Sequence, residues 1–132
     1  MIKGDEVMKL NQDLVRELLL IVEEEKAISE PLTSFNFKEH EIFTRYTLEE
    51  VVYTFQKLKE ANYIDFKASY GDGIIMFYQI GNLTWEGHKF LDTIRDDKVW
   101  REAKEETSKL KSVPINIISS VAAKLVESQL GL

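Results

Sequence analysis

The chain has 132 residues, of which 44% are hydrophobic and 30% are charged, and its formal net charge is −6. This length and composition are typical of one soluble globular domain with a hydrophobic core. The absence of cysteine excludes disulfides, thiolate metal sites and a thiol nucleophile.

The charge is distributed so that no long segment is basic. Residues 1–30 carry four basic and eight acidic side chains, residues 31–83 carry five and seven, and the remaining segments are balanced. A strong nucleic-acid binder usually presents a basic face to phosphates, so this distribution argues against strong DNA binding.

The longest apolar run, residues 18–22, is far shorter than the roughly 20 residues of a membrane span. Because residues 1–6 also lack a signal-peptide pattern, we expect a cytoplasmic protein with no membrane partner.

The first predicted helix follows a leader, residues 1–9. Asn11 or Asp13 can cap this helix, and apolar residues then recur at helical spacing. These residues are Leu14, Val15, Leu18, Leu19 and Val22. Three glutamates at residues 23–25 end the helix, and we expect them to be solvated because they oppose the helix dipole.

Residues 26–46 have the weakest pattern of the chain. Pro31 excludes a continuous helix, and residues 34–37 alternate like a short strand. Residues 38–46 are predicted to form a short helix or an irregular loop. The Glu-His-Glu run at residues 39–41 contains three possible metal ligands, but adjacent residues of a helix or strand do not converge on one ion. We therefore predict no metal site.

A capping box predicts a second long helix over residues 47–61. The Thr47 hydroxyl can accept the backbone N–H of Glu50, and the Glu50 carboxylate can accept that of Thr47. The predicted buried stripe consists of Leu48, Val51, Val52, Phe55 and Leu58. Candidate contacts to a nucleic acid or to a protein partner lie on the opposite face: Tyr53, Thr54 and Lys57. A polar face of this kind is equally typical of any surface helix.

A β-hairpin follows. Residues 63–69 begin it, a Gly-Asp-Gly turn occupies residues 71–73, and residues 74–80 form the return strand. Large apolar side chains lie on both faces of the return strand, which requires cover from the C-terminal helices or from a second subunit. Lys67 and Tyr70 are the candidate contact residues of the hairpin, although its turn lacks the lysine or arginine that a DNA-reaching hairpin usually supplies.

The segment after the hairpin opens another helix. Thr84 is the predicted cap, Trp85 a core anchor, and Gly87 a point where the helix approaches the sheet closely. Its buried face is predicted to continue through Leu91 and Ile94. His88 is expected at the surface, because no Asp, Ser or second His stands at a catalytic spacing from it.

Two further helices are predicted near the C-terminus. One starts at residue 98 and carries Trp100 and Ala103, and Pro114 stands at the start of the other. The candidate dimer contacts on the apolar stripe of the last helix are Ile118, Val121 and Leu125. This stripe must be buried either on its own domain or across a homodimer, and we favour the homodimer.

The order of these elements predicts an α+β fold of the winged-helix type. Helix, helix, hairpin, helix is the order of that domain, which offers one helix and one hairpin tip for binding and no active site. We predict a leader at residues 1–9, a winged-helix-like core at residues 10–95, and a C-terminal helical appendage at residues 96–132.

One block of the sequence is specific enough to suggest a family. Residues 83–92 (LTWEGHKFLD), with residues 95–97 and Trp100, resemble an uncharacterised family of small bacterial and phage proteins that is grouped with winged helices. Residues 8–16 resemble that family's opening, and residues 58–64 resemble its passage from helix to strand. The resemblance implies a prophage-associated winged-helix protein with no established activity and no catalytic residues to carry over.

Three classes of function follow from these patterns. A DNA-binding regulator is favoured by the fold and weakened by the acidic balance. A protein-interaction module fits the charge but has no positive motif. An enzyme is the least favoured, because the sequence shows no Gly-rich phosphate loop, no metal cluster and no nucleophile with a base, and we predict no cofactor. We place DNA binding first and a protein partner without DNA second.

Overall fold

The computed structural model of this chain describes residues 9–108 and 113–132. The predicted leader, residues 1–9, lies outside this part except for its last residue. Contacts divide the chain into two compact units, Met1–Gly87 and His88–Leu132. The fold is α+β, and the described residues form six α-helices, one 3₁₀ helix and one three-stranded antiparallel sheet.

The elements are numbered in chain order. The helices are α1 (Gln12–Glu25), α2 (Ser34–Phe37), the 3₁₀ helix η1 (Glu41–Thr44), α3 (Leu48–Glu60), α4 (Trp85–Ile94), α5 (Asp97–Thr107) and α6 (Ile115–Gln129). The strands are β1 (Leu32–Thr33), β2 (Ile64–Gly71) and β3 (Ile74–Leu83). None of these helices is long and apolar enough to span a membrane.

Helix α1 forms as its pattern predicts. The Asn11 side chain caps it by accepting the backbone N–H of Leu14 at 3.0 Å. All five predicted stripe residues are buried, and Ile21 joins them. Helix α1 packs against α3 and β3, so its stripe forms one wall of the core of the first unit.

The sheet has the order β1-β3-β2. Strands β2 and β3 form the predicted hairpin, with the left-handed residues Asp72 and Gly73 at its turn. The short strand β1 pairs only with Ile80 and Gln79 of β3. The edge of β3 at residues 74–78 therefore has no strand partner on the β1 side within the described residues.

The predicted strand at residues 34–37 is wrong, because this segment is the helix α2 and the strand lies just before it. The Asn36 side chain accepts the backbone N–H of Thr33 at 2.7 Å, which starts a helical turn at Ser34. Asparagine commonly competes for backbone groups in this way. The 3₁₀ helix η1 fits the prediction of a short helix at residues 38–46.

An aromatic cluster fills the core between α3 and the sheet. Phe55 stacks on Phe66 with ring centroids 5.3 Å apart, and Phe37 meets Phe55 edge to face at 6.2 Å. Tyr78 contacts Phe66 and Phe37 at 6.2 and 6.5 Å. Aromatic packing thus helps to hold the sheet against the α3 stripe.

Two residues of α3 lie on the opposite side from the one predicted. Thr54 is 2% exposed, and Leu48 is 38% exposed. Thr54 tolerates burial because its hydroxyl donates to the Glu50 carbonyl at 2.7 Å, which leaves its methyl group to face the core. The other four predicted stripe residues are buried.

The prediction that Trp85 anchors the core is also wrong, since its side chain is 76% exposed. Thr84 caps the helix as predicted, accepting the backbone N–H of Gly87 at 3.0 Å. A Cβ on Gly87 would lie 2.0 Å from the Tyr63 carbonyl oxygen, so Gly87 itself lies against the backbone just before β2. Trp85 lies two residues from Gly87, roughly 200° around the helix, and therefore points to solvent.

The second unit contains most of α4 and the two C-terminal helices. Asp96 caps α5, which buries Trp100 and Ala103 as predicted. Helix α6 packs on α5 and starts directly after Pro114. Ile118 is buried, whereas Val121 and Leu125 are half-buried. The stripe of α6 is thus partly covered within a single chain.

Candidate functional site

The exposed side of α3 holds two of the predicted contact residues. Tyr53 and Lys57 are half-buried and lie one turn apart, with the Lys57 Nζ 5.3 Å from the centroid of the Tyr53 ring. The same Nζ lies 3.2 Å from the Glu60 carboxylate. Thr54 does not belong to this surface, because it is buried.

The hairpin adjoins this side of α3 through one hydrogen bond. The Gln56 Nε2 donates to the hydroxyl of Tyr70, whose side chain is 51% exposed. Gln56 is half-buried, so it links helix and hairpin while remaining accessible. We call the surface formed by Tyr53, Gln56, Lys57 and Tyr70 the helix–hairpin surface.

Lys67, the fifth predicted contact residue, is exposed on β2. It lines a groove of about 460 Å³ together with Lys26 and Lys59. The Lys26 Nζ lies 2.8 Å from Asn82 Oδ1 in the same groove. None of the residues of the helix–hairpin surface lines this groove, so Lys67 belongs to a different region.

The electrostatics of α3 do not favour an anionic partner strongly. Its acidic residues Glu49, Glu50 and Glu60 outnumber its basic residues Lys57 and Lys59. Glu49 and Glu50 lie in the first turn, where their negative charges interact favourably with the helix dipole and stabilise the helix. Of the two lysines, Lys57 is already close to a carboxylate.

A second groove was not predicted from the sequence. It has a volume of about 500 Å³ and is lined by residues 34, 35 and 38, residues 43 and 46–48, and residues 75–78 of β3. We call it the edge groove, because it includes residues 75–78 of β3, which β1 leaves unpaired. Its lining has large exposed apolar side chains, namely Phe35, Leu48 and Met76.

One feature of the sequence could have indicated this groove. The run at residues 74–78 (IIMFY) contains no charge and no proline, although it lies in a hairpin strand that must end at a sheet edge or be covered. The sequence does not reveal the opposite wall, since its alternation at residues 34–37 predicts a strand at Phe35.

Burial changes the acid–base behaviour of two tyrosines at the edge groove. Tyr78 is 2% exposed, and burial raises its pKa to about 12. Burial, with a smaller effect of the Glu17 carboxylate, also raises the pKa of Tyr46. Both phenols therefore stay neutral to a higher pH than an exposed tyrosine would.

The histidine of the Glu-His-Glu run has a structural role. His40 Nδ1 accepts the backbone N–H of Ile42 at 3.0 Å, and Nε2 lies 2.8 Å from the Glu25 carboxylate. Glu25 is thus not simply solvated, which corrects the prediction for this residue of the 23–25 run. Both ring nitrogens have partners, and the described residues show no group of three or more His, Asp or Glu side chains arranged to hold a metal ion.

Comparison with known proteins gives a family match. A sequence profile described as "Hypothetical protein (DUF2513)" matches residues 9–114. An "Uncharacterized protein" of Haemophilus influenzae (strain ATCC 51907 / DSM 11121 / KW20 / Rd) is 34% identical over 126 residues, which cover 94% of this chain and all of that protein. No solved structure matches the chain.

Proposed function

The chain belongs to the family described as "Hypothetical protein (DUF2513)", and we propose that it is a non-catalytic winged-helix protein that binds duplex DNA. The observation that carries this proposal is the topology of the first unit. The order α1, β1, α2, η1, α3, β2, β3, with the sheet order β1-β3-β2, supports the proposal because it resembles the order of elements in a winged helix. In that arrangement α3 is the recognition helix and the β2–β3 hairpin is the wing.

The helix–hairpin surface supports a docking geometry. In helix-turn-helix proteins the recognition helix lies in the major groove and neighbouring elements contact the phosphates. Tyr53, Gln56 and Lys57 are the accessible side chains of α3 for this role, and the Gln56–Tyr70 hydrogen bond holds the hairpin beside the helix. We also propose a cytoplasmic, prophage-associated regulator, from the resemblance of residues 83–92 to a family of small bacterial and phage proteins.

The charge of this surface sets the expected strength of binding. Each phosphate contact contributes about −0.9 to the slope of log K against log salt. The helix–hairpin surface has one lysine, so we expect a shallow slope and an affinity in the range of non-specific binding on mixed duplexes.

Fluorescence anisotropy with labelled mixed-sequence duplexes at low salt tests the proposal. We expect Lys57→Ala and Tyr53→Ala to weaken binding severalfold while the protein stays folded. Lys124→Ala removes the same charge from an exposed position on α6 and should bind like the wild type. If the wild type gives no change in anisotropy at high protein concentration and low salt, DNA binding is rejected.

A protein-interaction module without DNA binding is the second candidate. It is favoured by the exposed apolar side chains of the edge groove, since large exposed apolar patches commonly mark protein interfaces. We also propose a homodimer through α6, on which Val121 and Leu125 are only half-buried in a single chain.

A further inference from the structure

We propose that the edge groove binds an extended, apolar segment of a partner protein that carries a carboxylate, and that this segment adds a strand to β3. This inference goes beyond DNA binding and gives the second candidate function a site. The edge groove and the helix–hairpin surface share no residue, so peptide binding and DNA binding can be tested and rejected independently.

Among the described residues, β3 has an open edge on the side of β1. The strand has ten residues, and β1 pairs with only two of them, Ile80 and Gln79. Next along this edge, the backbone N–H of Tyr78 donates to the Ser34 hydroxyl at a long 3.4 Å. An unpaired strand edge of this kind offers its backbone groups to another chain.

This edge lacks the lysine and proline residues that protect many strand edges. Exposed edges are commonly guarded by lysine or proline, and residues 74–78 contain neither. Ile74 and Met76 are 64% and 67% exposed. Met76 is the extra residue of a bulge, because Phe77 pairs with Ser69 while Ile75 pairs with Tyr70. Bulges are enriched at sheet edges and next to functional sites.

The edge groove has apolar walls beside this edge. Phe35 is 74% exposed and its ring lies 5.9 Å from that of Phe77. Leu48 and Phe43 belong to the same lining. In strand addition the backbone bonds provide affinity, and pockets for alternate side chains provide specificity. These walls select apolar side chains.

The charge of the edge groove is complementary to a carboxylate. Lys38 is the one charged residue of the lining, it is exposed, and the described part of the chain gives it no acidic partner. A carboxylate on the added segment would form an ion pair with the Lys38 side chain. A second copy of β3 would not, since residues 74–78 carry no acidic side chain.

The probe is a blocked seven-residue peptide that alternates valine with threonine and has one glutamate in place of a threonine. We expect it to shift the amide resonances of residues 74–78 of the full-length protein and to slow their hydrogen exchange. The same peptide with alternate backbone nitrogens methylated should not bind, because it cannot complete the strand hydrogen bonds. No shift at millimolar peptide, or equal binding of the methylated peptide, would overturn the proposal.

Two variants test the site itself. Met76→Lys, which places a charge on the edge, should weaken binding at least tenfold, whereas Ile28→Lys should not, since Ile28 is 88% exposed and lies outside the edge groove. Lys38→Glu should weaken binding of the peptide that carries glutamate. The same variant should strengthen binding of a peptide in which lysine replaces that glutamate. Amide dispersion confirms that each variant is folded.

If the unliganded protein dimerises through residues 74–78 and Met76→Lys makes it monomeric, the occupant is a second copy and the proposal is wrong.

Discussion

At the scale of single residues, Tyr78 has a polar group that the core does not satisfy. Its hydroxyl is buried and finds no hydrogen-bond partner among the described residues, while its ring packs against Phe37 and Phe66. Leaving a buried polar group unpaired costs about 1–3 kcal/mol. The ring therefore contributes to stability and the hydroxyl reduces it.

We expect Tyr78→Phe to raise the free energy of unfolding by about 1 kcal/mol, because it removes the unpaired hydroxyl and keeps the ring. Urea unfolding measures this change, and Tyr53→Phe, at a half-buried position, serves as the control. A clear loss of stability in Tyr78→Phe would mean that the hydroxyl has a partner.

The pKa of Tyr78 predicts a dependence of stability on alkaline pH. The folded state keeps this phenol neutral up to about pH 12, whereas the unfolded chain loses the proton near pH 10. Between these values the unfolded state binds fewer protons, so stability falls as pH rises, by up to about 1.4 kcal/mol per pH unit from this group. Urea unfolding from pH 9 to 11.5 should show a shallower fall in Tyr78→Phe than in the wild type. Equal slopes would contradict the assignment.

Gly87 is required by a close approach between two segments. A Cβ there would lie 2.0 Å from the Tyr63 carbonyl oxygen, a backbone atom that cannot move aside cheaply. Alanine forms helices better than glycine by about 1 kcal/mol. We nevertheless expect Gly87→Ala to lower the free energy of unfolding by about 2 kcal/mol or more, because the clash outweighs this gain. Thermal and urea unfolding test this, with His88→Ala on the exposed side of α4 as the control. A Gly87→Ala variant as stable as the wild type would show that α4 can shift freely.

At the scale of elements, the stability of α3 depends on the capping hydrogen bonds of its first turn. The Thr47 hydroxyl accepts the Glu50 N–H at 3.1 Å, and the Glu50 carboxylate accepts the Thr47 N–H at 2.9 Å. We expect Thr47→Ala to lower the free energy of unfolding by about 1 kcal/mol, and Thr47→Ser, which retains the hydroxyl, to lower it much less. Urea unfolding compares the two variants. An equal loss in both would assign the effect to the methyl group instead of the cap.

At the scale of the whole molecule, the partly covered stripe of α6 predicts self-association. Ile118 and Ala122 are buried within one chain, but Leu125 keeps part of its surface exposed. Leu125→Glu would place a charge in a dimer contact at a cost of about 2 kcal/mol or more. In sedimentation experiments we expect the wild type to be a dimer, the variant to be a folded monomer, and Lys124→Glu to remain a dimer. A wild type that is monomeric at micromolar concentration would contradict the dimer.

The sequence by itself determined the features that are settled within one turn of chain. The Asn11, Thr47, Thr84 and Asp96 caps each join groups three residues apart, so the residues that decide them are visible in the sequence. The Asp72–Gly73 turn and the α1 stripe were predictable for the same reason. Helix order, hairpin and fold class followed from these local patterns.

The tertiary structure decided what depends on segments far apart in the chain. Strand β1 exists only because β3 pairs with it, and Thr54 is buried because one hydrogen bond satisfies its hydroxyl against the core. Trp85 is exposed because Gly87 is the residue that lies against the Tyr63 backbone. The edge groove brings together residues 34–48 and 75–78, which no local pattern relates. Helical and strand periodicities specify which side chains share a face, but only packing decides which face is covered.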